Sequence, residues 1–362
     1  MKRIFIVIGM LLLLVFAATC SNPTEPSNNN GNQSDTTSHN FVWQKFTFGG
    51  GGGSSVLHDV AVINDTSIWA VGEIYMKDSL GNDDPIAYNA VHWNGKNWKV
   101  EKIKVWYRSN PTIAPLTGIF ILQDDKIVLS SGLPYLPNES GGWELYQLWD
   151  MGILNQNDGS VNHIWGTSLN NLFFAGNNGT IVHYTNGIWQ KIESGSTLDI
   201  QDIWGEVDQK TNQTTVLAVA SNIFQNNGMN LLQIRNNAAA SLTTQGLSWS
   251  LSGVWFEIGK QYYVVGDGIF QKQNLDEAVW KNKPLDFTQY YTYRIRGNSY
   301  NDIMVVGSQG EVLHYNGNSW KSFRDQTSLG YGNYYSVSVK GNTVVAVGQD
   351  GDNAVITIGR RN

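Results

Sequence analysis

Three histidines recur in one local setting. His92, His183 and His314 each follow Val or Leu, precede an aromatic residue, and stand just before an Asn-Gly pair. Three imidazoles suit a zinc site, where each nitrogen must come within about 2.0–2.1 Å of the metal. Their separations, 91 and 131 residues, instead fit two and three units of one repeat of about 44 residues. Equivalent residues of separate repeats do not converge on a point, so these histidines read as packing residues. The glutamates of the body, Glu73 to Glu311, single out no pair about 5–10 Å apart, the spacing that glycoside hydrolysis requires. Asp350-Gly351-Asp352-Asn353 and Asn82-Asp83-Asp84 offer oxygen ligands. Neither matches an EF-hand calcium loop, and both read as polar turns. The run Gly49–Gly53 lacks the Lys-Ser/Thr of a phosphate loop and reads as a flexible connector. No metal and no cofactor is expected.

The elements that position these residues are clearest in His163–Lys191. Ile164-Trp165 opens a strand, Leu172–Ala175 is a second, Thr180–Tyr184 a third and Ile188–Lys191 a fourth. Asn178-Gly179 and Asn186-Gly187 mark hairpin turns, because both turn residues must accept positive φ. Four strands in one antiparallel meander cannot bury both faces, so the meander must recur. It returns strongly at Ile295–Lys321 and, around an insertion, at Ile68–Lys99. Weaker copies lie at Leu116–Leu148, from Ile203, and at Gly253–Trp280. The last copy, Tyr334–Ile358, has three strands, and Phe41–Phe46 is an orphan that matches a fourth. The sequence therefore predicts an all-β, seven-bladed β-propeller of four-stranded antiparallel blades. The N-terminal strand pairs with the C-terminal blade and closes the ring, which leaves only short sheet edges.

The copies resemble bacterial exported seven-bladed β-propellers, and their turns loosely resemble the Asp-box of sialidase-like propellers. That box is a Ser-x-Asp-x-Gly-x-Thr-Trp run between a blade's third and fourth strands. Gly317-Asn318-Ser319-Trp320 keeps its second half, and Gly95-Lys96-Asn97-Trp98 keeps the Gly and the Trp. Tyr315 and Trp93 replace its Asp. A sialidase activity would require three converging arginines. Arg296 stands where Ile-Trp-Gly carries its tryptophan, on an inner strand that could face the channel, but two further inner-strand arginines are not visible. Trp98, Trp189 and Trp320 read as blade-packing residues, each burying about 150–250 Å².

The N-terminus is of a different kind. Met1-Lys2-Arg3 precedes the apolar run Ile4–Ala18, which is shorter than the roughly 20 residues of a membrane span. It ends at Cys20, the single cysteine, and resembles a bacterial lipoprotein signal with Cys20 as the lipid-attachment residue. Ala17 and Thr19 depart from the strict pattern. Residues 1–20 thus read as signal, 21–40 as a disordered polar tether and 41–362 as the propeller. One cysteine also means no intramolecular disulfide. The formal net charge of −6 becomes −8 once Lys2 and Arg3 leave with the signal, which argues against nucleic acid.

Second-to-third-strand loops share a propeller face with the connections between blades. Two are expected to be long: Tyr75–Asn89, with Tyr75, Asp83 and Asp84, and Gly132–Gly142, with Tyr135 and Asn138. Together with Arg296 these form the candidate binding face, since ordered loops on a rigid scaffold carry function. The expected function is a non-catalytic binding module for a protein or glycan, exported and membrane-anchored by lipid, in the outer membrane. The competing classes are a glycan hydrolase or lyase at the channel mouth, and a scaffold subunit of an envelope complex. Acids and arginines clustered at strand ends would favour the enzyme; an aromatic, amide-rich rim would favour binding.

Overall fold

The computed structural model describes residues 36–282 and 288–362. The signal and Cys20, and most of the tether, lie outside the described residues.

Seven four-stranded antiparallel sheets form the blades of one propeller. Their inner strands are Val56–Asn64, Gly118–Ile121, Val161–Ser168, Ile200–Val207, Leu251–Glu257, Thr292–Ser299 and Gly332–Lys340, which head blades 1 to 7 in order. Each blade runs outward strand by strand, as the meander pattern predicts. The second strands are almost wholly apolar because neighbouring blades cover both their faces. In blade 7, Val344–Val347 are 0% exposed, and in blade 3 so are Leu172, Phe174 and Ala175. Each large side chain among them stabilises the fold by about 1.5–3 kcal/mol on leaving water. The outer strands face water on one side and alternate: Trp189 is buried while Ile188 and Gln190 are exposed.

Ring closure follows the predicted pairing. Phe41–Phe48 lies antiparallel to Asn353–Arg361, from Phe41 opposite Arg361 to Phe48 opposite Ala354. Alternation along this strand serves two neighbours at once. Phe41 and Trp43 pack on Phe323 next to blade 6. Phe46 and Phe48 pack on Trp98 of blade 1.

Two sequence signals acquire physical reasons. Gly follows the apolar second strand in five blades, at Gly72, Gly176, Gly266, Gly307 and Gly348. There the preceding inner strand comes so close that a Cβ on Gly176 would lie 2.1 Å from the Ser160 carbonyl oxygen. In Ile-Trp-Gly, the Gly makes room for the tryptophan of the blade before: a Cβ on Gly205 would meet the Trp165 ring at 2.6 Å.

Three expectations are corrected. Gly132–Gly142 is not one long loop, because Pro134–Pro137 is the third strand of blade 2 and the loop before it is Ser131–Leu133. The Gly49–Gly53 run is a seat rather than a flexible connector. Gly51 donates to the Tyr75 carbonyl at 3.0 Å, and a Cβ on Gly53 would lie 2.6 Å from the Tyr75 ring. The end of the tether is also held: Thr37 N–H donates to the Asn316 carbonyl at 3.0 Å.

Candidate functional site

Six of the seven inner strands carry a β-bulge near their first residues. The register skips His58, Asn162, Gln201, Ser252, Tyr293 and Tyr335 in blades 1, 3, 4, 5, 6 and 7. A bulge leaves one residue without a ladder partner and re-aims its side chain. All six, with Thr117 just ahead of the inner strand of blade 2, line one cavity of about 350 Å³ at the channel mouth. Each blade thus supplies one side chain to the rim. The inner strands start at this end, so the mouth opens on the face that carries the connections between blades.

The rim is neutral and two-sided in its hydrogen-bonding capacity. Thr117, Asn162, Gln201, Ser252 and the two tyrosines all donate and accept. Burial pushes the His58 imidazole below its usual range, against the opposing pull of Glu73 and Asp59, which keeps it uncharged at neutral pH. An aromatic run leads outward from the rim. Tyr335 and Tyr293 have ring centroids 5.3 Å apart, Tyr293 and Tyr291 5.0 Å, and Tyr291 and Phe224 4.8 Å. Phe224 is 59% exposed and sits at φ 61° on a second-to-third-strand loop. An exposed phenylalanine in a left-handed turn costs backbone strain and leaves apolar surface in water. Tyr291 is pinned by a 2.9 Å hydrogen bond between its hydroxyl and that of Ser250.

Below the rim, the channel is crossed by charge. Asp202 of blade 4 is 1% exposed and pairs with Arg294 and Arg296, both of blade 6. Arg296 grips it with a fork, Nη1 to Oδ2 at 2.8 Å and Nη2 to Oδ1 at 2.8 Å, and lies over the Trp204 ring at 4.8 Å. Val254 N–H donates to Oδ2 at 3.0 Å. Burial would raise the Asp202 carboxyl, but the two guanidiniums outweigh it and hold the pKa at about 2. His163 lines the channel beside them. Burial, together with Arg294 and Arg296 and against the pull of Asp202, pushes its pKa down to about 3, so it is neutral. Asp59 is engaged as well, by Val60 N–H, Ile119 N–H and the Ser336 hydroxyl at 3.0, 3.0 and 2.6 Å. Held at about 2 and bonded on both oxygens, Asp202 is not poised as a general acid or base, which needs a pKa near the working pH and a free proton path.

The residues proposed from sequence do not form one face. Arg296 does face the channel, but it lines the 260 Å³ cavity at the end opposite the mouth. Tyr75 donates to Glu73 Oε1 at 2.6 Å and rests on the glycine seat. Asp84 holds Lys102 at 2.7 Å, and the Asp83 backbone pairs with that of Lys77 in an isolated antiparallel bridge. Tyr135 is 3% exposed within a strand, which removes it from any rim. Asn138 caps the turn between third and fourth strands, accepting from Gly142 N–H at 3.0 Å, and so lies on the other face of the ring. The recurrent histidines pack: His183 stacks on Phe173 at 4.0 Å and His92 on Trp69 at 4.2 Å.

Sequence reasoning missed the rim, Asp202 and Arg294. For Arg294 a signal existed. It lies two residues before Arg296, and in a strand that spacing puts both on one side.

Fold and site together define a seven-bladed β-propeller with a neutral mouth above a charge-crossed channel. No family model matches the sequence, and no curated protein sequence does. The structure is similar to YCF48 bound to a D1 peptide, with a TM-score of 0.62 and 14% identity, covering 88% of this chain and 95% of that one. It is also similar to virginiamycin B lyase from Staphylococcus aureus, solved as a catalytically inactive form with quinupristin. That match has a TM-score of 0.60 and 12% identity, over 88% of this chain and 99% of the other. The WD40 propeller of Doa1 matches at 0.57 and 12%, over 88% and 97%. At such identities the likeness concerns the fold.

Proposed function

We propose that this protein is a non-catalytic binding module that receives a segment of a protein partner at the bulge-lined mouth of its channel. The rim carries the proposal. Seven blades present neutral donors and acceptors around one cavity, flanked by an aromatic run that ends in an exposed Phe224. Peptide backbones offer both donors and acceptors, and side groups between them seek apolar contact, so this surface suits a polypeptide segment. Asp59 and Asp202, the carboxylates below the rim, are both held by internal partners. A propeller of similar fold solved with a peptide supports the same reading. Residues 1–20 would deliver the module to the cell envelope with a lipid on Cys20, and residues 21–35 would span the distance from an outer membrane.

The test is capture from native envelope extract by the wild-type protein and by a Tyr293→Ala/Tyr335→Ala variant of equal melting temperature. A protein retained by the wild type and lost by the variant supports the module. Equal retention by both removes the mouth from the interface, and retention only of glycans shifts the partner class. Mass spectrometry of the mature N-terminus tests the anchor: an unmodified Cys20 ends it.

A further inference from the structure

Among the described residues that line the mouth cavity, Arg294 alone carries a fixed charge, and no carboxylate lines that cavity. Arg294 is 7% exposed, and its guanidinium is only partly satisfied. Nη1 bonds Asp202 Oδ1 and, at 3.3 Å, the Gln201 carbonyl. Nε is buried and has no hydrogen-bond partner among the described residues, and Nη2 makes no bond to them either.

The reason lies in the sharing of one carboxylate. Asp202 gives both its oxygens to the fork of Arg296, and Arg294 takes a share of Oδ1 alone. The next carboxylate, Asp59, acts on Arg296 and is otherwise held by Val60, Ile119 and Ser336. Arg294 is therefore left with an unused edge, Nε and Nη2. That edge of a guanidinium matches the two oxygens of a carboxylate. Buried N–H groups without partners carry a desolvation cost that a bound acceptor would recover.

Resting on the binding reading above, we propose that the mouth is specific for a carboxylate of the bound segment, held at the Nε–Nη2 edge of Arg294. Nε is closed to solvent, so the carboxylate meets Nη2 first and gains Nε by a small rotation of the arginine. His163 lines the same cavity. The carboxylate comes from an Asp or Glu of the segment or from the free C-terminus of the partner.

Arrayed short peptides of random sequence, each made in three forms, separate these cases: with a free C-terminus, C-terminally amidated, and amidated with Asp and Glu changed to Asn and Gln. The full-length protein is tested as wild type, Arg294→Lys and Arg294→Gln, with melting temperatures measured alongside. Peptides that bind the wild type should lose about ten- to a hundredfold in affinity when their carboxylates are neutralised. Arg294→Gln should lose as much, and Arg294→Lys should recover part of it. Loss on amidation alone assigns the peptide terminus, and loss only in the third form assigns an Asp or Glu. Fully neutral peptides binding as tightly, or a folded Arg294→Gln binding like the wild type, would overturn the carboxylate while leaving the binding module standing. Absence of binding by every form overturns both.

Discussion

His39 Nδ1 lies 2.7 Å from His314 Nδ1, and this contact fixes the tautomer of both rings. His314 Nε2 is 2.9 Å from Asp302 Oδ1, so it donates there and leaves Nδ1 as an acceptor. His39 must then donate from Nδ1 and accept at Nε2 from the Ser319 hydroxyl, 3.2 Å away. The relay ties the residue two places before the ring-closing strand to blade 6. Arg361, opposite Phe41 at the same end of that strand pair, bonds the same Asp302 oxygen. One carboxylate thus clamps both termini of the propeller at its closing sheet.

This clamp should weaken in mild acid. Burial lowers the His39 pKa from 6.5 to about 4, with His314, Lys321 and Arg361 adding to the shift. The unfolded state therefore binds the proton first, and the contribution is full above about pH 6.5 and lost as pH falls through about 4. Melting temperatures measured between pH 7 and 4 should fall more steeply for the wild type than for His39→Gln. Parallel curves would remove the histidine pair from ring closure.

Gly176→Ala and Gly348→Ala should each cost about 1–3 kcal/mol, because the added methyl must push two strands apart. The methyl at Gly348 would lie 1.9 Å from the Asn333 carbonyl oxygen, whereas at Gly142 its nearest neighbour would be 3.8 Å away. Gly142→Ala should be nearly neutral. Urea denaturation of the three variants checks the contrast.

The closing strand should matter more than its terminal place suggests. Phe41 is 6% exposed within an aromatic group of Trp43, Phe323 and His314, and Phe41→Ala should cost about 3–5 kcal/mol. Val42, 57% exposed on the same strand, should tolerate Ala within about 0.5 kcal/mol. Denaturant midpoints that do not separate the two would refute the closure argument.

Asp202→Asn should be costly, about 3–5 kcal/mol, since it leaves two guanidiniums without their shared partner. Adding Arg296→Leu to that variant should recover part of the loss, a coupling that a double-mutant cycle reads directly. Because the Asp202 pKa lies at about 2 against 3.8 unfolded, its contribution is full above about pH 4 and declines only as pH falls through about 2. The channel charges should thus persist under conditions that open the His39–His314 contact.

Much of the architecture was legible residue by residue. Asn186-Gly187 and Asn316-Gly317 signal turns by their backbone demands, and the orphan Phe41–Phe46 signals closure by matching a missing strand. The Arg296 departure from Trp165 pointed to the channel for a sound reason: an inner-strand residue facing the axis has no blade to pack against. Tyr135 was misplaced because two prolines around it read as a loop, although a Pro at either end of a short strand is compatible with pairing. The rim was not legible, since His58, Thr117, Asn162, Gln201, Ser252, Tyr293 and Tyr335 share no residue type.

By itself the sequence determined the repeat, the blade count and the way the ring closes, because alternation, turn chemistry and close-packed glycines act over a few residues. Only the tertiary structure decided which residues meet at the axis. A one-residue bulge switches a residue to the other face of its strand, and composition does not announce it. Asp202 and Arg294 are 92 residues apart in sequence and two blades apart in the ring, and the arrangement of the blades around one axis brings them together.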